Sequence, residues 1–206
     1  MSILAILGAS GHGKVIAEIA LASGRWQHVV FYDDAWPQKL QNGQFQIVGD
    51  TQRLLALEIK PEVVVGIGNN QIRLHKQAEL VSAGFVVATV IHPTAVVSAT
   101  AKISAGTVIM PGAVINADVH IAAGCIINSN AVVEHDCVLA DGSHVSPGAA
   151  LAGGVHLGEG TWIGIGASVI QQKKIGQYVL VGAGAAVVSD LPDNVTAVGV
   201  PARIIK

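Results

Sequence analysis

The chain has 206 residues, of which 51% are apolar, 13% charged and only 4% aromatic, with 24 glycines and a net charge of −2. So apolar a chain is not disordered, and a near-neutral balance without a basic block argues against nucleic acid as a partner. With few rings, the core must be built from small aliphatic side chains, which suits narrow, regular layers.

The first element is the apolar run Ile3–Leu7, within MSILAILGASGHGK. No basic region precedes it and no cleavage signature follows, so it reads as a buried strand rather than a signal peptide. No segment reaches 18 uninterrupted apolar residues, so no membrane span is expected. Two cysteines, Cys125 and Cys137, are too few for a disulfide framework, and a cytoplasmic protein with reduced thiols is expected.

After Ile3–Leu7 come Gly8-Ala9-Ser10-Gly11-His12-Gly13 and a helical pattern through Val15, Ile16, Ile19 and Ala20. Val29–Tyr32 is a second strand ending at Asp33-Asp34. Val63–Ile67 is a third, ending at Gly68-Asn69-Asn70, and a helix carrying Ile72, Leu74, Ala78, Leu80 and Val81 follows. Continuous apolar strands alternating with helices imply a small parallel, Rossmann-like sheet over residues 1–90. Ligands of such sheets bind outside the carboxyl ends of the strands, so the three loops should converge on one crevice. The loop spacing Gly8-x-x-Gly11-x-Gly13 is not the dinucleotide fingerprint G-x-G-x-x-G. It offers backbone N–H groups at a helix N-terminus, which suit a phosphate, and equally fits a tight turn with two solvated aspartates beside it. Lys14 either meets a phosphate or faces solvent.

From residue 91 the texture changes. Stepping by six from Ile91 gives Val97, Ile103, Ile109, Ile115, Ile121, Ile127, Val133, Leu139, Val145, Leu151, Leu157, Ile163, Val169, Ile175, Val181 and Val187, all Ile, Val or Leu. The positions two before them, from Ala95 to Ala185, are small or β-branched except Lys173. Residues two apart on a strand face the same side, so each repeat sends one large and one small residue inward. Both cysteines fall on small inward positions and read as core. The position three before each aliphatic is mostly Gly, Asn or Asp, from Gly106 to Gly184, types that tolerate corner conformations. A corner every six residues makes a prism over residues 91–206.

This pattern resembles the hexapeptide acyltransferases, which implies a left-handed parallel β-helix with three faces. The ordered set GASGHGK, YDD, GIGNN, IHPTA, VVEHDCVLADGSHVSPGAALAGGVHLG and VGVPAR resembles, over nearly the whole chain, the nucleotide-sugar N-acetyltransferases of the UDP-N-acetylbacillosamine pathway. It is also similar to their relatives, the sialic acid O-acetyltransferases and perosamine N-acetyltransferases. The resemblance implies a nucleotide-sugar held by Ser10, Gly11, His12, Asp33, Asp34 and Gly68. It implies a catalytic base at His135, a supporting carboxylate at Asp136 where some members have Glu, and acetyl-CoA contacts at His144, Ile165 and Ala183.

The register places His135 and Asp136 at an exposed corner. One coil on, 18 residues later, stands Gly153; a glycine there leaves room for a thioester and offers its N–H to the carbonyl oxygen, an oxyanion donor. His120, His144 and His156 precede inward aliphatics and point outward. His120 and His156 invite a metal reading, because the γ-class carbonic anhydrases use three histidines on this fold. The third such position here is Thr161, so no metal is expected. Lys173 and Lys174 reach CoA phosphates or mark an ordinary loop.

Outward Val108, Val114, Ile126, Val132 and Val138 are too apolar for a free surface, which leads to a homotrimer with sites between subunits. The reading is an acetyl-CoA-dependent N-acetyltransferase acting on a UDP-4-amino-4,6-dideoxy sugar by direct transfer. Alternatives are O-acetylation of a sialic acid-like sugar, N-acetylation of a GDP- or dTDP-linked amino sugar, or a non-catalytic nucleotide-binding scaffold.

Overall fold

The computed structural model describes residues 2–206. The chain divides into two compact units, Met1–Pro93 and Thr94–Lys206.

In the first unit β1 (Ile3–Leu7), α1 (Gly11–Ala22), β2 (His28–Tyr32), β3 (Gln41–Asn42), β4 (Phe45–Gly49), α2 (Thr51–Leu55), β5 (Glu62–Val65) and α3 (Asn70–Ser82) follow in order. The sheet order is β3-β4-β2-β1-β5. β1 runs parallel to both β2 and β5 and β2 parallel to β4, so only the β3–β4 hairpin is antiparallel. Central β1 is buried from Leu4 to Leu7, as a strand covered on both faces must be. The hairpin and α2 go beyond the three strands expected. Their signal was there: Asn42-Gly43, with Gly43 at φ +65°, precedes the alternating buried residues Phe45, Ile47 and Gly49.

The third helix departs further from expectation. α3 buries Asn70, Arg73, Gln77 and Leu80, while Ile72 and Val81 are exposed. Its inner face therefore combines three polar residues with Leu80, and of the apolar residues Ile72 and Val81 mark the wrong side. Asn69 caps the helix by accepting from the Ile72 N–H at 3.0 Å. Such a cap is worth about 1 kcal/mol and gives the second position of the Gly-Asn-Asn run a structural purpose.

The second unit is a left-handed parallel β-helix of two-residue strands. One face stacks Val96–Val97, Val114–Ile115, Val132–Val133, Ala150–Leu151, Ser168–Val169 and Ala186–Val187. The next stacks Lys102–Ile103, His120–Ile121, Val138–Leu139, His156–Leu157 and Lys174–Ile175. The third carries Val108–Ile109, Ile126–Ile127, His144–Val145, Trp162–Ile163 and Leu180–Val181, continues in Thr196–Val198 and ends in the antiparallel strand Arg203–Ile204.

From Ile109 to Val187 no aliphatic of the six-residue series is more than 3% exposed. All twelve Gly, Asn and Asp corners named by their spacing adopt positive φ, and Gln172 and Tyr178 join them. Leu191, Ala197 and Ala202 close the end of the core.

The inward small position tolerates polar atoms because the corners supply acceptors. Thr107, Cys125, Ser143 and Thr161 lie one coil apart. Each donates to a carbonyl 15 residues on, those of Ala122, Ala140, Gly158 and Gly176. Unsatisfied, each buried hydroxyl would cost about 1–3 kcal/mol. Cys137 does the same toward Ala152 at 3.3 Å, and burial pushes its thiol pKa up, which suits core rather than nucleophile.

Candidate active site

At the carboxyl ends of β1, β2 and β5, Gly8, Ser10, Asp33, Asp34, Ile67 and Lys76 border a cavity of about 210 Å³. The three expected loops do converge. Gly8 takes φ +107°. A Cβ on Gly13 would lie 2.3 Å from the Gly8 carbonyl oxygen, so that glycine lets the helix close on the strand. A Cβ on Gly11 or Gly68 would meet nothing within 4 Å. Packing does not require those two glycines, and their open sides are free for a ligand.

The aspartates are busier than solvated residues. Asp33 accepts from the Ala9 N–H at 2.6 Å through Oδ2 and from Ala35 at 3.0 Å through Oδ1, tying the glycine loop to the end of β2. Asp34 accepts from the Thr51 N–H at 2.9 Å. The hydroxyl and backbone of Thr51 hold its carboxyl below the ordinary value. Lone pairs remain on each carboxylate for a ligand. From the hairpin side, Lys39 donates to the Ala9 carbonyl at 2.6 Å and Asn42 to that of Ser10 at 3.1 Å. With these carbonyls engaged, the loop has a fixed path.

His12 is half-buried. Burial, then the charge of Arg73, lowers its pKa to about 4, so it is neutral near pH 7. Arg73, fully buried, donates to the carbonyls of Ile67 and Gly68 at 3.1 and 3.0 Å and to the Asn70 side chain at 2.8 Å. It shapes the third loop and was not foreseen; an arginine in a helix gives no sign of facing inward. A larger cavity, about 510 Å³, opens beside Ile3, Val30, Val48 and Glu62. It is mostly apolar and gathers none of the glycine-loop residues.

In the coil, His135 and Asp136 occupy the corner after Val133, 63% and 66% exposed on their side chains. Asp136 takes φ +60°, a conformation that Asp tolerates. Its Oδ2 lies 2.7 Å from His135 Nδ1. This hydrogen bond raises the His135 pKa, and the charges of Asp136 and Glu134 add to it. Glu134, a second carboxylate the sequence did not flag, is steadied by Asn116 at 2.9 Å. Nδ1 therefore carries the proton toward Asp136, and Nε2 is left as the basic nitrogen.

Gly153 does stack on His135, but the space it leaves is already used. A Cβ there would lie 2.6 Å from both Cε1 and Nε2. The imidazole, not a thioester, fills the room the glycine gives.

His144 lies on an outward position, as its register requires, yet is only 8% exposed. Its Nε2 is 3.1 Å from Asn128 Nδ2, and Trp162 stacks on it with centroids 5.2 Å apart. Ile165 and Ala183 are exposed. Lys14 and Lys174 are exposed and Lys173 half-buried. His120 and His156 are exposed on the second face with Val138 between them. Among the described residues no three His, Cys, Asp or Glu gather as a metal site, and no helix is long and apolar enough to cross a membrane. Of the outward apolar residues, Val108 and Ile126 are fully buried within the chain, so they are not available to a second copy; Val138 is 39% exposed.

Comparison with known proteins fits both halves. Residues 3–80 match the family described as PglD N-terminal domain. A stretch of 111 residues is 43% identical to UDP-N-acetylbacillosamine N-acetyltransferase of Bacillus subtilis; it covers 52% of this chain and about half (50%) of that curated relative. The acetyltransferase domain of PglB from Neisseria gonorrhoeae, solved with acetyl coenzyme A, is 41% identical, with 98% of each chain covered and a TM-score of 0.95. PerB from Caulobacter crescentus, solved with CoA and GDP-perosamine, is 39% identical over 100% of this chain and 98% of that one, also at 0.95. The chain belongs to this family of hexapeptide-repeat nucleotide-sugar acetyltransferases.

Proposed function

We propose that the protein transfers the acetyl group of acetyl-CoA to the amino group of a UDP-linked 4-amino-4,6-dideoxy sugar, with His135 as general base. The observation that carries this reading is the 2.7 Å contact between His135 Nδ1 and Asp136, which leaves Nε2 basic at an exposed corner. Relatives solved with acetyl coenzyme A, and with CoA and GDP-perosamine, support the two substrate classes. The name of the Bacillus relative favours a UDP sugar.

The acceptor nucleotide is assigned to the first unit, at Ser10, Gly11, His12, Asp33, Asp34 and Gly68. Backbone N–H groups at the start of α1 suit its phosphates. Acetyl-CoA is assigned to the coil, along His144, Ile165 and Ala183. The amine nitrogen attacks the thioester carbon while His135 Nε2 removes its proton, and Asp136 supports the imidazolium. The oxyanion accepts from the Gly153 N–H, a contact of the kind worth about 3–4 kcal/mol. Collapse breaks the C–S bond, and the CoA thiolate leaves and is protonated from the imidazolium. No covalent enzyme intermediate forms. Acetyl-CoA and free thiols suit the cytoplasm. The exposed apolar coil surface suits a homotrimer, which light scattering at micromolar concentration tests; a monomer with full activity would refute it.

The acceptor is tested by CoA thiol release with UDP-, GDP- and dTDP-linked amino sugars and with sialic acid. Turnover highest with the UDP-4-amino sugar supports the assignment. A preference for the GDP sugar moves the protein beside the perosamine enzyme, and turnover only with sialic acid overturns N-acetylation.

A further inference from the structure

The third coil face carries a ring pair of which the proposed function uses only His144. His144 and Trp162 sit in register on neighbouring coils, with rings inclined by only 14° and centroids 5.2 Å apart. Each ring is tethered through a nitrogen to a polar side chain 16 residues earlier: His144 Nε2 to Asn128 at 3.1 Å, and Trp162 Nε1 to Ser146 Oγ at 2.7 Å. Asn128 and Ser146 are themselves one coil apart. The same rule is written twice and then stops, because the next rung holds Leu180 and the matching polar position is Gly164.

The tether decides the histidine's tautomer. Asn128 Oδ1 accepts from the Ser129 N–H at 2.8 Å, so the amide turns its NH2 toward His144. An NH2 group only donates, hence Nε2 of His144 accepts and its ring proton sits on Nδ1. This is a different use of the ring from His135, whose Nε2 is left over for proton transfer. Trp162 is 42% exposed and His144 only 8%. The indole covers the imidazole at the expense of its own burial. In a chain with 4% aromatic residues, a half-open tryptophan on a two-residue strand is not needed for the core, which is filled from the inward positions.

We propose that Trp162 is a positioning residue for the acyl-donor side of the site. Stacked on His144 and pinned by Ser146, it holds the imidazole against Asn128, so that the tautomer set by that tether persists and the wall along which acetyl-CoA lies is preformed. This rests on His144 lining the acetyl-CoA site, as assigned above. A preformed wall lowers the cost of binding rather than the barrier of the chemical step.

The experiment combines steady-state kinetics with long-range 1H–15N spectra of the histidine rings. In Trp162→Leu the ring pair is lost, and KM for acetyl-CoA should rise up to about tenfold, the scale of an aromatic pair. The acceptor KM and the pH profile set by His135 should stay unchanged. Trp162→Phe keeps the stack and loses the tether, so it should fall between Trp162→Leu and wild type, as should Ser146→Ala. The His144 signals should show the Nδ1–H form in the wild type and a mixture in Trp162→Leu. Thermal unfolding of each variant reports whether the coil still folds, and Trp162→Phe keeps the question open to measurement if Trp162→Leu does not. Unchanged His144 signals in Trp162→Leu, or equal changes in both KM values, overturn the proposal. If His144→Ala leaves the acetyl-CoA KM unchanged while the signals do respond to Trp162→Leu, the assignment of His144 to acetyl-CoA fails and takes the acyl-donor role of Trp162 with it, leaving only its hold on the His144 ring.

Discussion

The two units use glycine for different physical reasons. In the glycine loop of the sheet, Gly13 is needed because its missing side chain lets backbone approach backbone, and a Cβ would lie 2.3 Å from the Gly8 carbonyl oxygen. In the coil, glycine is one of several residues that accept a left-handed corner; Asp118, Asn130, Asp136, Gln172, Tyr178 and Asn194 take positive φ as well. A corner can therefore exchange its glycine for a residue with chemistry, at a cost of roughly 1–2 kcal/mol. Asp136 is such a residue, and its corner conformation sets its carboxylate against His135. Gly13 has no such freedom, whereas Gly11, with nothing within 4 Å of an added Cβ, leaves open space for a ligand.

That contrast can be broken most sharply by Gly13→Ala. The clash is with backbone, and a loss of about 3 kcal/mol or more in unfolding free energy is expected. Denaturant titration measures it, and near-normal stability would remove the close-approach argument. Gly153→Ala tests the opposite case. Its Cβ meets the end of an exposed imidazole, which can swing aside, so stability should hold while turnover drops by about a hundredfold through misplacement of the base. Gly11→Ala should fold normally, because nothing lies within 4 Å of its Cβ. It should raise the KM for the nucleotide sugar by about tenfold, a loss of roughly 1.4 kcal/mol, with the acetyl-CoA KM unmoved. A smaller effect is expected from Asp136→Asn on the pH profile. Only unprotonated His135 can take a proton, so activity is lost as pH falls through its raised pKa. Removing the carboxylate lowers that pKa, and the acid limb of the rate profile should move to lower pH. Gly148→Ala, with no neighbour but φ +64°, should lower unfolding stability by about 1–2 kcal/mol and leave both KM values unmoved.

The coil was legible because its period repeats; each rung restates which residue faces inward, and the corners announced themselves through Gly, Asn and Asp. Gln172 and Tyr178 escaped because their side chains carry no preference for positive φ. The sheet gave up its main strands, its converging loops and the presence of α3, but not the side α3 buries: Asn70, Arg73 and Gln77 lie there with Leu80, and a rule that seeks apolar faces cannot find a mostly polar one. At the candidate site, the exposed corner pairing of His135 with Asp136, the proposed base and carboxylate, was readable from the register and the family resemblance. The use of Asp33 as a loop brace, the pinning of Glu134 by Asn116, and the tether of His144 to Asn128 depend on contacts between separate loops or coils. Stacking of Gly153 on His135 was foreseen from an 18-residue step, but not that the ring itself takes the space.

The central claim is that His135 removes the proton from the attacking amine. It is tested most directly by measuring acetyl transfer in His135→Ala, with and without added imidazole. Turnover should fall by at least about a hundredfold, the usual scale for loss of a general base, with acetyl-CoA and acceptor still bound, and imidazole should restore part of the rate. Transfer by His135→Ala at near the wild-type rate would contradict the account.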